Sequence, residues 1–334
     1  MAKNNNLTDL LKSVADAIRA KKGTTDLINP QNFDAEIASI PSGGSAYNML
    51  GFTGHIDEAG LRRLNWNDND IAWLQKVCWW NEEDDNDWKV SEVNISKGAL
   101  ITWDNYKTYQ NDRDIIFFPK LGTPTMANKQ LIFDSWHYVY AIPTDGWVLS
   151  GDCFALFFNS AHIASCGDLG SWDTSAITRL NGIIQSSFNV RYLGDLSQWN
   201  TANFYPLTGF YEAKCLVSLG DLSGWNVPSG ASYSQLFRYC RCLVSLGIPR
   251  IVAGANTNLM FSECDSLRDI IACGTISASV SFSSSPLLTH KSLLTIFNAL
   301  DPDNVGTITL HANAKLLLTD EDKAIATSKG WTIA

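Results

Sequence analysis

Three aspartates stand at equivalent points of a recurring phrase: Asp168 in GDLGSWDTS, Asp195 in GDLSQWNTA and Asp221 in GDLSGWNVP. Paired carboxylates are the equipment of glycoside cleavage, one acting as acid and the other as base or nucleophile. The whole phrase recurs, however, and the aspartates recur with it. An Asp after Gly also accepts backbone N–H groups at tight turns, and that second reading is preferred. Oxygen-rich clusters occur at 67–70 (NDND), 82–87 (EEDDND) and 301–306 (DPDNVG). The first two lack the order of an EF-hand loop, and in the third Val305 and Ala312 replace needed ligands. Five histidines (His55, His137, His162, His290, His311) are scattered, with no nucleophile elbow or phosphate-binding loop near them. No C-x-x-C pair is present to hold zinc. The sequence therefore nominates no catalytic residue, no metal ligand and no cofactor, and the expectation is a protein that is not an enzyme.

Aromatic residues offer a different chemistry. Trp172, Trp199 and Trp225 each follow the recurring Gly-Asp-Leu. Facing inward they would be core. Facing outward they would form a ladder for stacking on sugar rings, a candidate ligand surface. The inward arrangement is preferred.

The elements that carry these residues are repeats. CLVSLG occurs at Cys215–Gly220 and again at Cys242–Gly247. Around both copies an apolar residue falls every third position: Phe210, Ala213, Leu216, Leu219, then Phe237, Cys240, Leu243, Leu246. The row continues as Phe261, Cys264, Leu267, Ile270, and backwards as Ile184, Ser187, Val190, Leu193. Two weaker rows precede it: Phe157, Ser160, Ile163, Cys166, and Phe133, Trp136, Val139, Ile142. Self-similarity at about 25 residues predicts a solenoid in which stacking buries what one coil cannot bury alone. One short strand per coil is expected near L-x-x-L-G-D-L, with Gly allowing a turn that a Cβ would obstruct.

These rows and the Gly-Asp-Leu phrase resemble the BspA-type leucine-rich repeat, approximately L-x-x-L-D-L-S-x-W/F-D/N-T-S followed by M-F-x-x-C-x-x-L. The resemblance covers residues 130–285 and weakens at Gly247–Arg250 and Ser277–Ser285. It implies a parallel-sheet solenoid. At the end of the chain, a helix capped by Thr289, a strand at Thr307–Leu310 and a short acidic-first helix closed by Lys329–Gly330 are expected to hide the open edge.

In front of the repeats, Leu7, Leu10, Leu11, Val14 and Ile18 make one stripe of a predicted helix, and Phe33, Ile37 and Ile40 share a face of a second. PSGGS at Pro41–Ser45 reads as a linker. Two short helices cannot bury such stripes alone, so Leu7, Leu11, Val14, Ile18, Phe33 and Ile37 are the candidate oligomerisation residues, with a trimer preferred. The string LTDLLKSVADAIR…INPQNF is similar to N-terminal modules of bacteriophage tail and head fibre proteins. That resemblance implies attachment to other virion proteins through this end. Two helices, one after Asp57 and one from Asp68–Asp70, a Trp-rich stretch and a buried strand at Asp114–Pro119 are expected between the two regions.

The resulting fold class is multidomain α+β. A helical module spans 1–45, a small mixed α/β domain 46–129, and a leucine-rich-repeat solenoid with parallel sheet and C-terminal cap 130–334. The net charge of −9 argues against nucleic acid as a partner, and no apolar run suits membrane insertion. No apolar signal-peptide core is seen, and the eight cysteines read as free thiols, so synthesis in a bacterial cytoplasm is expected. The sequence taken alone points to a virion fibre or decoration protein whose solenoid contacts a host glycan or surface protein. A BspA-type bacterial surface adhesin is the alternative, and a polysaccharide depolymerase trails both.

Overall fold

The computed structural model describes residues 56–77, 89–126, 129–179, 181–202 and 209–334. They belong to one compact unit, Thr53–Ala334. Leu7, Leu11, Val14, Ile18, Phe33 and Ile37 lie outside the described residues, as do Trp79, Trp80, Trp88 and the 82–87 acidic run.

Both helices expected before the repeats are present, with a third after them. Helix α1 (Glu58–Arg63) starts at Asp57, whose side chain accepts the Gly60 N–H at 2.8 Å. Helix α2 (Asp68–Val77) and α3 (Glu92–Gly98, capped by Ser91) follow. Leu61, Leu64, Trp66, Ile71, Leu74, Val90, Ile95, Phe117 and Ala141 form their shared core. A second, larger core runs without a break from Ile101 to Trp331, crossing the 129/130 boundary expected from sequence.

The segment Asp114–Pro119 is not a strand. It makes a single parallel bridge, Phe117 to Ala141. The reason is local: Asn94, buried on α3, accepts the N–H groups of Ile116 and Phe117 at 3.1 and 3.0 Å and donates to the Phe117 carbonyl at 3.0 Å. One side-chain amide takes the backbone bonds that a neighbouring strand would otherwise have made.

Every member of the six four-residue rows is buried, including Ser160 and Ser187. Parallel pairing links successive repeats. Strands β1 (Val148–Asp152) and β2 (Asp173–Arg179) form one pair. Strands β3 (Ser218–Asp221), β4 (Ser245–Ile248) and β5 (Asp269–Cys273) form a three-stranded sheet where L-x-x-L-G-D-L was expected to be extended. The pairing is carried further toward the N-terminus by single bridges at Phe117, Ala141, Ser165, Tyr192 and Ser218 rather than by full strands.

A second ladder was not expected. Leu131 and Ser135, on either side of Phe133, have φ of 55° and 58°; Gln235 and Tyr239 repeat this around Phe237 at 62° and 63°, and Leu259 and Glu263 around Phe261 at 58° and 60°. The left-handed region costs an ordinary residue about 1–2 kcal/mol. Around Phe133 and Phe237 the compensation is a run of alternate N–H groups that point to the next repeat. Those of 131, 133 and 135 donate to the carbonyls of 154, 156 and 158 at 3.0, 2.7 and 2.9 Å, and those of 235, 237 and 239 to 258, 260 and 262 at 3.0, 3.0 and 2.9 Å. Between these residues the rings stack: Phe133 on Phe157 at 5.5 Å, Phe210 on Phe237 at 5.8 Å, and Phe237 on Phe261 at 5.3 Å.

The C-terminal elements follow the sequence closely. Helix α4 (His290–Asn298) begins at Thr289, whose hydroxyl accepts the Ser292 N–H, and buries Leu293, Ile296 and Phe297. Strands β6 (Val280–Phe282), β7 (Thr307–Leu310) and β8 (Thr332–Ile333) form a parallel sheet. A short helix α5 (Ala312–Lys315) precedes α6 (Asp320–Thr327), which opens on a capping box between Thr319 and Asp322.

Candidate functional site

The recurring aspartates serve turns. Asp168, Asp195 and Asp221 accept the N–H groups of Gly170, Ser197 and Ser223 at 2.9, 3.0 and 2.9 Å through Oδ1. Burial is the main cause that raises the Asp168 carboxyl above the usual range. In the DPDNVG segment, Asp301 is engaged by the Ser277 hydroxyl, the Asn304 amide and the Asp303 N–H, which hold its carboxyl down to about 2. In NDND, Asn67 accepts the Asp70 N–H at 2.9 Å, and buried Asp70 pairs with Lys120 at 2.6 Å. No group of three or more metal-ligating side chains occurs among the described residues.

Trp172, Trp199 and Trp225 are 5%, 4% and 3% exposed, which corrects their assignment as a candidate ligand surface. They stack in one column with Trp147, at centroid separations of 5.5, 6.0 and 6.3 Å along it. Each indole N–H reaches back one repeat to a backbone carbonyl: Trp172 to Thr144 at 3.0 Å, Trp199 to Leu169 at 2.9 Å, Trp225 to Leu196 at 2.8 Å. An outward ring could not make that bond. The column is a core spine: the backbone satisfies the indole N–H groups of Trp172, Trp199 and Trp225, while that of Trp147 is buried without a partner.

The aromatic groups at the surface are others. The positions just after each buried Phe carry Tyr211 and Glu212 in one repeat, Arg238 and Tyr239 in the next, and Glu263 in the third. Tyr211 and Tyr239 meet edge to face at 6.0 Å. The Arg238 guanidinium lies 4.6 Å from the centroid of Tyr239 and 5.9 Å from that of Tyr211, and donates to the Tyr239 hydroxyl at 3.0 Å. Its Nε is shielded from solvent with no hydrogen-bond partner. Arg241 packs 5.9 Å from the Tyr239 ring and pairs with Glu263 at 3.0 Å. Alongside, the Lys214 ammonium stands 4.1 Å from the centroid of Phe188. Burial, then the Glu212 charge, raises the Tyr211 phenol, so it stays protonated and able to donate.

This face holds three cations (Lys214, Arg238, Arg241) against two carboxylates (Glu212, Glu263) on a chain of net charge −9. Tyrosine with arginine is the composition of surfaces that bind by stacking and charge-assisted hydrogen bonds. The periodicity that marked the buried Phe could have marked these neighbours too, since they occupy the same place in successive repeats.

A second feature is an open cleft of about 330 Å³ lined by Asn69, Ala72, Trp73, Lys76, Asp145 and Asp168. Asp145 is occupied there: it accepts from Asn67 at 3.0 Å and Asn69 at 3.3 Å, and sits 3.7 Å from Lys120. The cleft thus tethers α2 to the first repeats.

The cysteines expected to be free are free at all seven described positions. Cys240 and Cys242 do not share a face, as a strand there would require: Cys240 is buried and Cys242 exposed. The positive φ of Tyr239 and the Leu243 N–H bond to the Cys240 carbonyl make this stretch a run of turns.

Residues 152–272 match the family described as Mycoplasma protein of unknown function, DUF285, a family of BspA-like repeats. No curated protein and no solved structure matches the chain. The matched segment contains the Trp column from Trp172 to Trp225, the sheet β3 to β5 apart from the last residue of β5, and the whole Tyr and Arg face.

Proposed function

We propose that residues 130–334 form a BspA-type leucine-rich-repeat solenoid whose Tyr and Arg face recognises surface material of a bacterial cell without chemically altering it. The observation that carries this reading is the cluster of Tyr211, Arg238, Tyr239 and Arg241, fixed across adjacent repeats by stacked Phe rings and ladder bonds. A stack of repeats holds such a face rigid, which suits binding over several repeats better than enclosing a reaction.

Within this reading the chain is a bacteriophage fibre or decoration protein. Its N-terminal module would join other virion proteins and assemble the chain as a homo-oligomer, preferably a trimer. The fibre-like wording of the N-terminal sequence supports this placement. The match to DUF285 favours the other placement, a BspA-type surface adhesin on a bacterium. Immunogold electron microscopy with antibody to the full chain separates the two: label on phage particles is expected, and label confined to cell envelopes would overturn the virion placement. For recognition itself, the full chain and an Arg238→Ala/Tyr239→Ala variant are compared for retention on intact cells of the source bacterium. Retention of the parent and at least tenfold loss in a folded variant is the expected result. Equal retention would remove the face from recognition.

A further inference from the structure

The two CLVSLG copies stand side by side. Strands β3 and β4 pair Ser218 with Ser245, and the Ser245 hydroxyl donates to that of Ser218 at 3.2 Å. Three residues earlier the same offset sets Cys215 beside Cys242, and the backbone bonds around them agree: the Cys242 N–H donates to the Lys214 carbonyl at 3.0 Å and the Val244 N–H to that of Val217 at 2.9 Å. The two cysteines lie in turns just before β3 and β4, joined backbone to backbone through Lys214, and a disulfide spans Cα separations of roughly 4.4–6.8 Å. Leu216 and Leu243 point into the core, so the residues before them face outward; Cys215 is half-buried and Cys242 exposed. The Cys215 side chain lies near enough to Cys242 to be among the groups that raise its thiol. The remaining described cysteines are placed differently. Cys240 and Cys264 donate their S–H groups to the Phe210 and Phe237 carbonyls at 3.1 Å, Cys153 and Cys166 are buried, and Cys273 is half-buried at the end of β5.

We propose that Cys215 and Cys242 are a redox pair that closes into a reversible disulfide between adjacent repeats, with a small-molecule disulfide as oxidant. The exposed Cys242 thiolate attacks one sulfur of the oxidant, forming a mixed disulfide and expelling one thiolate. The Cys215 thiolate then attacks the Cys242 sulfur, forms the protein disulfide and expels the second. Two protein thiols are oxidised, one small disulfide is reduced to two thiols, and the two protons pass to those leaving thiols. The bridge would lock the register of the repeats next to Lys214, Tyr239 and Arg241, a useful property for a protein that leaves a reducing cytoplasm. It is independent of what that face binds.

Trypsin supplies a direct assay, because Lys214 and Arg241 precede the two cysteines and leave them on separate peptides, 215–238 and 242–250. The full chain is incubated with excess glutathione disulfide, alkylated and digested without reductant. The expected product is the two peptides joined, lighter by two hydrogens than their sum and separated by dithiothreitol, together with a higher melting temperature of the oxidised protein. A Cys215→Ser variant should stop at glutathionylated Cys242. If the parent also stops there, or if Cys242 instead joins two chains, the proposal is overturned. Melting under reducing conditions checks that the variant is folded.

Discussion

Gly194 lies directly against the Asp168 carboxylate of the preceding repeat, so close that a Cβ on Gly194 would overlap Oδ1. The same contact recurs between Gly247 and Asp221, and in a looser form between Gly220 and Asp195 at 3.1 Å. The Gly-Asp phrase is thus a vertical fit: each Asp closes its own turn and forms the floor on which the next Gly sits. Gly194 also has φ of +91°, where side chains are strained whatever the space.

Gly194→Ala is therefore expected to destabilise the protein by more than about 2 kcal/mol, through overlap and strained backbone together. Gly224 is the control, with open space around its Cβ position and no positive φ. Gly224→Ala should raise stability by about 0.4–1 kcal/mol by restricting the unfolded chain. Urea denaturation of both variants checks this, and equal effects would contradict the vertical fit.

The left-handed positions give a prediction of opposite sign. Leu259 has φ of 58° and is 39% exposed, so it bears the strain with little burial in return. Leu259→Asn should stabilise by roughly 1 kcal/mol, because Asn tolerates this region better. Leu259→Val should destabilise, since a β-branched side chain tolerates it worst. Thermal melts that ranked Val above Asn would show that the backbone at Leu259 is not under strain.

The contrast between what sequence revealed and what it hid follows from where each constraint originates. Buried rows such as Phe237, Cys240, Leu243 and Leu246 were legible because repetition keeps each at one place in the core. The N-cap at Thr289 and the helix start after Asp57 were legible because capping is local, and the cap at Thr319 was not singled out. The ladder through Leu131, Ala155 and Gln235 was hidden: none of these residues favours positive φ, and the neighbouring repeat imposes it through hydrogen bonds. The segment 114–119 looked like a strand because Asn94, which takes its N–H groups, lies more than twenty residues away. The tryptophans could be read either way, because the bonds that turn them inward end on carbonyls of another repeat.

The second residue of four of the six rows carries a further ladder. Ser187 donates to the Phe157 carbonyl, as Ser160 does to that of Phe133 and Cys240 to that of Phe210. Ala213 occupies the same place and has no donor to offer the carbonyl of Ile184. Ser187→Ala should cost about 1 kcal/mol for the lost buried hydrogen bond, and Ala213→Ser should gain up to about the same by completing the series. Measured side by side in denaturant, two variants shifting in the same direction would refute the ladder as a source of stability.

Asp168 yields the pH prediction. Its carboxyl is raised chiefly by burial, with smaller contributions from the Asp145 and Asp195 charges, while the Gly170 N–H and Lys76 act in the other direction. A carboxyl whose folded value is raised holds its proton more tightly in the folded than in the unfolded chain. Its contribution is therefore most favourable below the ordinary carboxylate range and is lost as pH rises through the folded value. Asp168→Asn keeps an oxygen for the Gly170 N–H, retains the shape on which Gly194 rests, and removes the charge. The variant should melt higher than the parent at neutral pH, and the gap should close as the pH falls below the carboxylate range. A variant less stable at neutral pH, or a gap that ignores pH, would mean that the charge at Asp168 supports the fold.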